Sequence, residues 1–211
     1  MVDWWPVTLR RQQVVLRPLR LRDEAAWAEI RRRGADWFKP WDATRPPEST
    51  QRQLTFGELV RSYRSRARRG TTLPLAVTYS PQPGAKPVFC GQLTVSGISG
   101  GSASWGMIGY WIDPRYAGRG IIPLAVAMVV DYCFQTIGLH RIEIAIVPSN
   151  AKSVAVVRKL GLRLEGRRPK FMHVGGAWQD HDVYVVTPEE VPEGLVSRYE
   201  ARQAAAGQAD G

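Results

Sequence analysis

Arg115-Tyr116-Ala117-Gly118-Arg119-Gly120 is the stretch on which the reading of this chain turns. An apolar β-type run, Trp105 to Ile112 (WGMIGYWI), precedes it, and a helical pattern, Ile121 to Ile137, follows. Two glycines between a strand and a helix let backbone N–H groups come close to a ligand, and the positive end of the helix dipole falls on the same spot. That arrangement suits a pyrophosphate. A glycine-containing strand–helix turn with no ligand is the alternative.

Three Gly-rich loops compete. An ATP-type P-loop ends in Gly-Lys-Ser/Thr, which is absent. A dinucleotide fingerprint needs a third glycine, where this chain has Pro123. The third pattern is Gln/Arg-x-x-Gly-x-Gly/Ala, whose fixed positions Arg115, Gly118 and Gly120 all match. Downstream comes a second strand, Arg141 to Val147, then Asn150-Ala-Lys-Ser153, a helical run, Gly161, and Gly166. This order of strand, Gly loop, helix, strand, Asn and helix resembles the GNAT acetyltransferases, with Leu162 in place of their usual Phe. Lys170 to His181, ending Trp178-Gln-Asp180-His181, resembles the RimJ/RimL-like branch, which acetylates N-termini of ribosomal proteins. The resemblance is firm from Ile108 to Tyr184, looser from Val14 to Trp41, and absent in the C-terminal tail.

The resemblance implies acetyl-CoA as cosubstrate, with no metal. Backbone groups of Tyr116, Ala117, Gly118, Arg119, Gly120 and Ile121, with Arg115 opening the motif, would hold the pyrophosphate. The pantetheine arm would run along Tyr110, Trp111 and Ile112, with an oxyanion donor near Trp111. Asn150 would meet the arm or a water, and a helix N-cap is its other role. Val157 stands where many relatives carry a tyrosine acid, so Ser153 is the expected proton donor to the leaving thiolate. A first-turn serine satisfied by backbone is the alternative. Ala145 stands where some relatives carry a glutamate base. Glu143, one dyad upstream on the same strand face, could act through water, or be a salt bridge. Asp180 and His181 are rival bases, whose other roles are bracing the last hairpin or positioning substrate. Trp37, Phe38 and Trp41, in a loop between the first two helices, would line the acceptor pocket with Asp180.

Composition sets outer bounds. The chain has 211 residues, 44% of them hydrophobic, enough for one domain, expected over 1–202. Cys90 and Cys133 lie in apolar runs and read as buried thiols, not a disulfide framework or metal site. The longest apolar run, Ile121 to Val130, is too short to span a bilayer, and no apolar signal core opens the chain, so a cytoplasmic protein without membrane contact is expected. The net charge of +10 attracts polyanions. The clusters Arg31–Arg33 and Arg61–Arg69 read first as solvated helix faces. RNA contact is the lesser reading, because aromatics do not interleave with them.

Around the motif, Val14–Leu21, Leu73–Tyr79, Val88–Val95, Leu162–Val174 and Ala177–Thr187 read as strands, the last two as a hairpin at Gly175-Gly176. Asp23 can cap one helix, and Thr50 with Gln53 can cap a second that carries Phe56, Leu59, Val60 and Tyr63. Residues 203–211 read as a disordered tail. The fold class is α/β, an α+β sandwich. The resemblance implies the GNAT fold, with a mixed, mostly antiparallel sheet of six or seven strands and about four helices. The expected function is transfer of acetyl from acetyl-CoA to the α-amine of a protein N-terminus, Ala or Ser, as in a ribosomal protein, by direct attack on the thioester. The rivals are a GNAT acting on an aminoglycoside or polyamine, and a non-catalytic acyl-CoA sensor or RNA-binding module. The oligomeric state is not legible.

Overall fold

The computed structural model describes residues 2–82 and 84–209. Its strands are β1 (Leu9–Arg11), β2 (Val14–Pro18), β3 (Thr72–Tyr79), β4 (Val88–Ser99), β5 (Trp105–Ile112), β6 (Arg141–Ile146), β7 (Arg163–Val174) and β8 (Ala177–Val186). They form one sheet in the order β1-β2-β3-β4-β5-β6-β8-β7. Every pair is antiparallel except β5–β6, which is parallel. The helices are α1 (Glu24–Arg33), α2 (Ala35–Phe38), α3 (Phe56–Arg68), α4 (Ile121–Tyr132), α5 (Ala151–Leu160) and α6 (Leu195–Ala209). This is the mixed α/β architecture expected from the sequence, with eight strands and six helices among the described residues.

Helix α4 organises the core. All ten residues from Ile121 to Val130 are buried. They pack with Leu73, Leu75, Val77 and Leu93 of the sheet and with Leu160, Leu195 and Tyr199 of α5 and α6. A helix apolar on all sides must be covered on all sides. Its last turn widens into a π-type turn over Cys133–Ile137 and closes at Gly138 (φ +79°). Cys90 and Cys133 are free and buried, and burial pushes the Cys90 thiol up to about 12.

Three local readings are corrected. The second helix is capped by Thr55 with Glu58, not by Thr50 with Gln53: Glu58 N–H donates to Thr55 Oγ1, and Thr55 N–H donates to the Glu58 carboxylate. The Trp37–Trp41 segment, read as loop, begins inside the short helix α2. The tail expected to lack structure from Gln203 is helical through Ala209, because α6 is anchored at its other end, and residues 210 and 211 lie outside the described residues. Leu195 and Tyr199 bury its first turns, and Asp131 accepts the N–H groups of Leu195 (2.6 Å) and Val196 (3.0 Å).

Candidate active site

Strands β5 and β6 are hydrogen-bonded only through the pairs Trp105↔Arg141, Gly106↔Ile142 and Met107↔Glu143. Beyond Met107 they part, and Ile108 to Ile112 on one side and Ile144 to Val147 on the other line a cleft of about 1060 Å³. Strand ends that part inside a sheet leave backbone donors and acceptors free for a ligand, much as a sheet edge does.

At one end of the cleft lies the glycine loop. Tyr116, Ala117, Gly118, Gly120, Ile121 and Ile122 line it. Gly118 (φ +81°) and Gly120 (φ +75°) are both left-handed, which a side chain would strain. Gly120 is also the N-cap of α4, without a side-chain cap, and Pro123 occupies the first turn, where its missing N–H costs nothing. The N–H groups of that turn have no preceding helical carbonyl, so the loop can take an anion with the helix dipole behind it.

The arginines of the motif are not in the cleft wall. Arg115 turns back to Asp113: its backbone N–H (3.0 Å) and its guanidinium (2.7 Å) both bind that carboxylate, and Arg33 joins from α1 (3.0 Å). Asp113 is fully buried. Burial pushes its carboxyl up, but Arg115 and Arg33 outweigh this and hold it below the ordinary aspartate range. Arg119 lies over the Tyr116 ring at 5.5 Å. Asp113 therefore braces the turn that launches the loop, a role the sequence reading missed although an Asp-Pro pair marks a turn start.

In the middle of the cleft, Asn150 caps α5, its Oδ1 accepting the Ser153 N–H at 3.1 Å. Both residues line the cleft. The Ser153 hydroxyl lies 2.7 Å from the hydroxyl of Tyr110 on β5, so the pair bridges the split. Burial raises the Tyr110 phenol above its ordinary range, and the bond to Ser153 offsets only part of this. Tyr110 thus stays a hydroxyl, able to pass a proton to or from Ser153.

The far end is aromatic. Trp37, Phe38, Trp41 and Trp111 line it, with the Phe38 and Trp111 rings edge-on at 5.5 Å and Phe89 packed on Trp111 at 5.9 Å. Gly91 makes room for the Trp111 backbone, since a Cβ there would lie 2.4 Å from the Trp111 carbonyl oxygen. Arg31 sits over Phe38 at 4.3 Å and pairs with Asp42, and Lys152 Nζ lies 3.4 Å from the centre of the Trp37 ring. The segment after α2 is clasped to the last hairpin: Ala43 pairs with Val174, and Thr44 Oγ1 meets His173 Nδ1 at 2.7 Å and accepts the Gly176 N–H at 3.0 Å.

Two expected residues stand elsewhere. Glu143 is buried where β5 and β6 are still paired, outside the cleft wall, and is held by Arg141 (Nε, 2.9 Å) and Arg168 (2.9 Å). Its place is the salt bridge, not the cleft. Asp180 accepts the Lys170 N–H at 2.9 Å and does not line the cleft either. Its neighbour His181 does, and is buried. Among the described residues no three His, Cys, Asp or Glu side chains gather as a metal site, and no helix is long and apolar enough to cross a membrane.

Comparison with known proteins agrees with this geometry. The family model described as acetyltransferase (GNAT) domain matches residues 13–163. The structure of Mycobacterium smegmatis RimJ, solved with a CoA disulfide, superposes with a TM-score of 0.85 at 33% identity, covering 95% of this chain and 97% of that one. The [ribosomal protein uS5]-alanine N-acetyltransferase of Escherichia coli is 24% identical over 88% of this chain and 94% of its own length. The chain spans about half the length of other curated relatives: it is 38% identical to the Bacillus subtilis protein named probable N-acetyltransferase YjcK, over 46% of this chain and 53% of that protein.

Proposed function

Because this chain belongs to the GNAT acetyltransferase family, in its RimJ/RimL-like branch, we propose that it transfers acetyl from acetyl-CoA to the α-amine of a protein N-terminus, of the Ala- or Ser-initiated ribosomal-protein type. The observation that carries the reading is the split between β5 and β6, with an anion cradle at one end, a hydroxyl pair in the middle and an aromatic chamber at the other.

The cradle fits the cosubstrate. Gly118 and Gly120 hold left-handed conformations that a side chain would strain, and the first-turn N–H groups of α4 have no partners in the helix. Tyr116 to Ile121 would hold the pyrophosphate, and the backbone of Tyr110 to Ile112 the pantetheine arm. Acetyl-CoA supplies an activated acetyl thioester to an attacking amine. An oxyanion donor on β5 near Trp111 would stabilise developing negative charge on the carbonyl oxygen. Ser153, backed by Tyr110, gives a proton to the departing sulfur. Trp37, Phe38 and Trp41 enclose the acceptor and exclude water.

A small polycation suits this cleft poorly. Arg31, Arg66, Lys152 and Lys159 line it, and Asp42 is the one carboxylate among the described lining residues. Like charges disfavour such an acceptor. A peptide N-terminus brings one amine and otherwise neutral backbone.

The test follows free thiol while the protein meets acetyl-CoA and peptides starting with Ala, Ser, Thr or Met, together with spermidine and an aminoglycoside. Release with Ala or Ser peptides supports the proposal. Release with the small amines alone, or CoA binding with no release at all, overturns it.

A further inference from the structure

We infer that His181 is the proton acceptor for the attacking amine, a step that rests on the acetyl transfer proposed above. Among the described residues the cleft wall holds one carboxylate and one imidazole, Asp42 and His181, and Arg31 already occupies Asp42. Glu143 is outside the wall, between its arginines.

The His181 ring is set for this task. Its Nδ1 lies 3.0 Å from the Gln179 carbonyl oxygen. A carbonyl only accepts, so Nδ1 carries the hydrogen and Nε2 is the free nitrogen of the neutral ring. Phe171 packs edge-on at 5.8 Å and fixes the ring plane. Among the described residues Nε2 has no side-chain or backbone partner, and the residue lines the cleft.

Register puts the ring at the right depth. Asp182 pairs with Ile146, the last residue of β6, so His181 stands at the open end of the split, beside Val147 and the turn that leads to Asn150 and Ser153. Neighbouring charges are already engaged: Arg168, across the strand pair, with Glu143; Asp180 with the Lys170 N–H; Asp182 with Arg167. Arg66 on α3 and Lys152 and Lys159 on α5 are the cations of the same cleft that have no carboxylate partner among the described residues.

The chemistry balances without another reactant. The amine nitrogen forms a C–N bond to the acetyl carbon as the C–S bond breaks. One N–H proton passes to His181 Nε2, directly or through one water, and then to solvent. The sulfur takes the Ser153 hydroxyl proton, which Tyr110 and solvent replace.

His181→Asn separates base from brace. An asparagine amide can still donate to the Gln179 carbonyl but offers no basic nitrogen. With an Ala-initiated peptide, H181N is expected to lose about 10²-fold or more in kcat. Its CoA affinity should stay within about twofold, because the glycine loop is distant in the cleft. Imidazole added to His181→Ala is expected to restore part of the turnover. Wild-type kcat in H181N, or a loss in H181A that H181N reverses and imidazole does not, overturns the inference. Either result leaves the acetyltransferase reading intact, whereas a wild-type protein that acetylates no peptide overturns both.

Discussion

The hydroxyls of Tyr110 and Ser153 lie 2.7 Å apart, one on β5 and the other in the first turn of α5, so their hydrogen bond bridges the split that β5 and β6 open. Ser153 holds its place by backbone as well, through the Asn150 cap. Ser153→Ala therefore removes the hydroxyl and keeps the helix start. A thiolate with an ordinary thiol pKa leaves readily, so the loss in kcat should be about tenfold, not thousands. CoA affinity and melting temperature should change little. Tyr110→Phe should cost less in turnover and about 1 kcal/mol in stability, since it leaves Ser153 a hydroxyl with one partner fewer. Stopped-flow acetylation with chemistry shown to be rate-limiting checks both, and unchanged turnover in S153A removes Ser153 from the mechanism.

Gly120 is constrained twice. Its φ is +75°, and a Cβ would lie 2.9 Å from the Tyr199 hydroxyl. Gly120→Ala should thus cost roughly 1–3 kcal/mol of stability through strain and contact together. CoA affinity should fall about tenfold or more as the cradle shifts. Adding Tyr199→Phe removes the contact but not the strain, so the double variant should recover stability in part. Calorimetric binding and thermal melts report the two effects separately; an unaltered CoA affinity in G120A argues against the pyrophosphate site.

Much of this was legible in the sequence because strong local signals agreed. Trp105 to Ile112 is a strand with the predicted bounds, and Gly118, Gly120 and Asn150 stand where their backbone chemistry demands. Weak local signals failed. β1 is three residues, two of them arginine, and its pairing with β2 is decided across the sheet. α6 looked unstructured because its Ala-rich end buries nothing, while its start is fixed by Asp131, over sixty residues earlier in the chain. Thr50-x-x-Gln53 matched a capping box as well as Thr55-x-x-Glu58, and only the latter places Phe56 and Val60 in the core. Charge pairing was the least legible. Nothing local in the sequence says that Glu143 belongs to Arg141 and Arg168, or that Arg115 serves Asp113.

That pairing makes Glu143 a test of structure against catalysis. Glu143→Gln keeps the shape but leaves two half-buried guanidiniums without their shared charge. We expect a stability loss of about 1–3 kcal/mol, with kcat and its pH profile unchanged. Denaturant unfolding and a pH–rate series measure the two. A kcat loss in E143Q with stability preserved would return Glu143 to the candidate bases.

Asp131 carries the last prediction, which links the C-terminal helix to the site. Its carboxylate receives the Leu195 and Val196 N–H groups at the start of α6, and Tyr199 on that helix approaches the Gly120 carbonyl at 3.4 Å. Burial raises the Asp131 carboxyl above the ordinary aspartate value, and the two N–H bonds counter this only in part. A carboxyl raised on folding binds more protons in the native state than in the unfolded one. Its contribution to stability therefore declines as pH rises through the window that starts near the unfolded value, about 4, and the cost is complete above the folded value. Asp131→Asn keeps one of the two acceptor oxygens and removes the charge, so stability should lose its Asp131-dependent decline across that window, at the cost of one N–H bond, while CoA affinity at neutral pH is retained. Asp131→Ala leaves two buried N–H groups without an acceptor. It should cost about 1–3 kcal/mol and loosen Tyr199 from the glycine loop, weakening CoA binding along with stability. Urea titrations at several pH values, paired with CoA binding for each variant, measure this coupling; CoA affinity unchanged in a destabilised D131A would show that α6 covers α4 without tuning the loop.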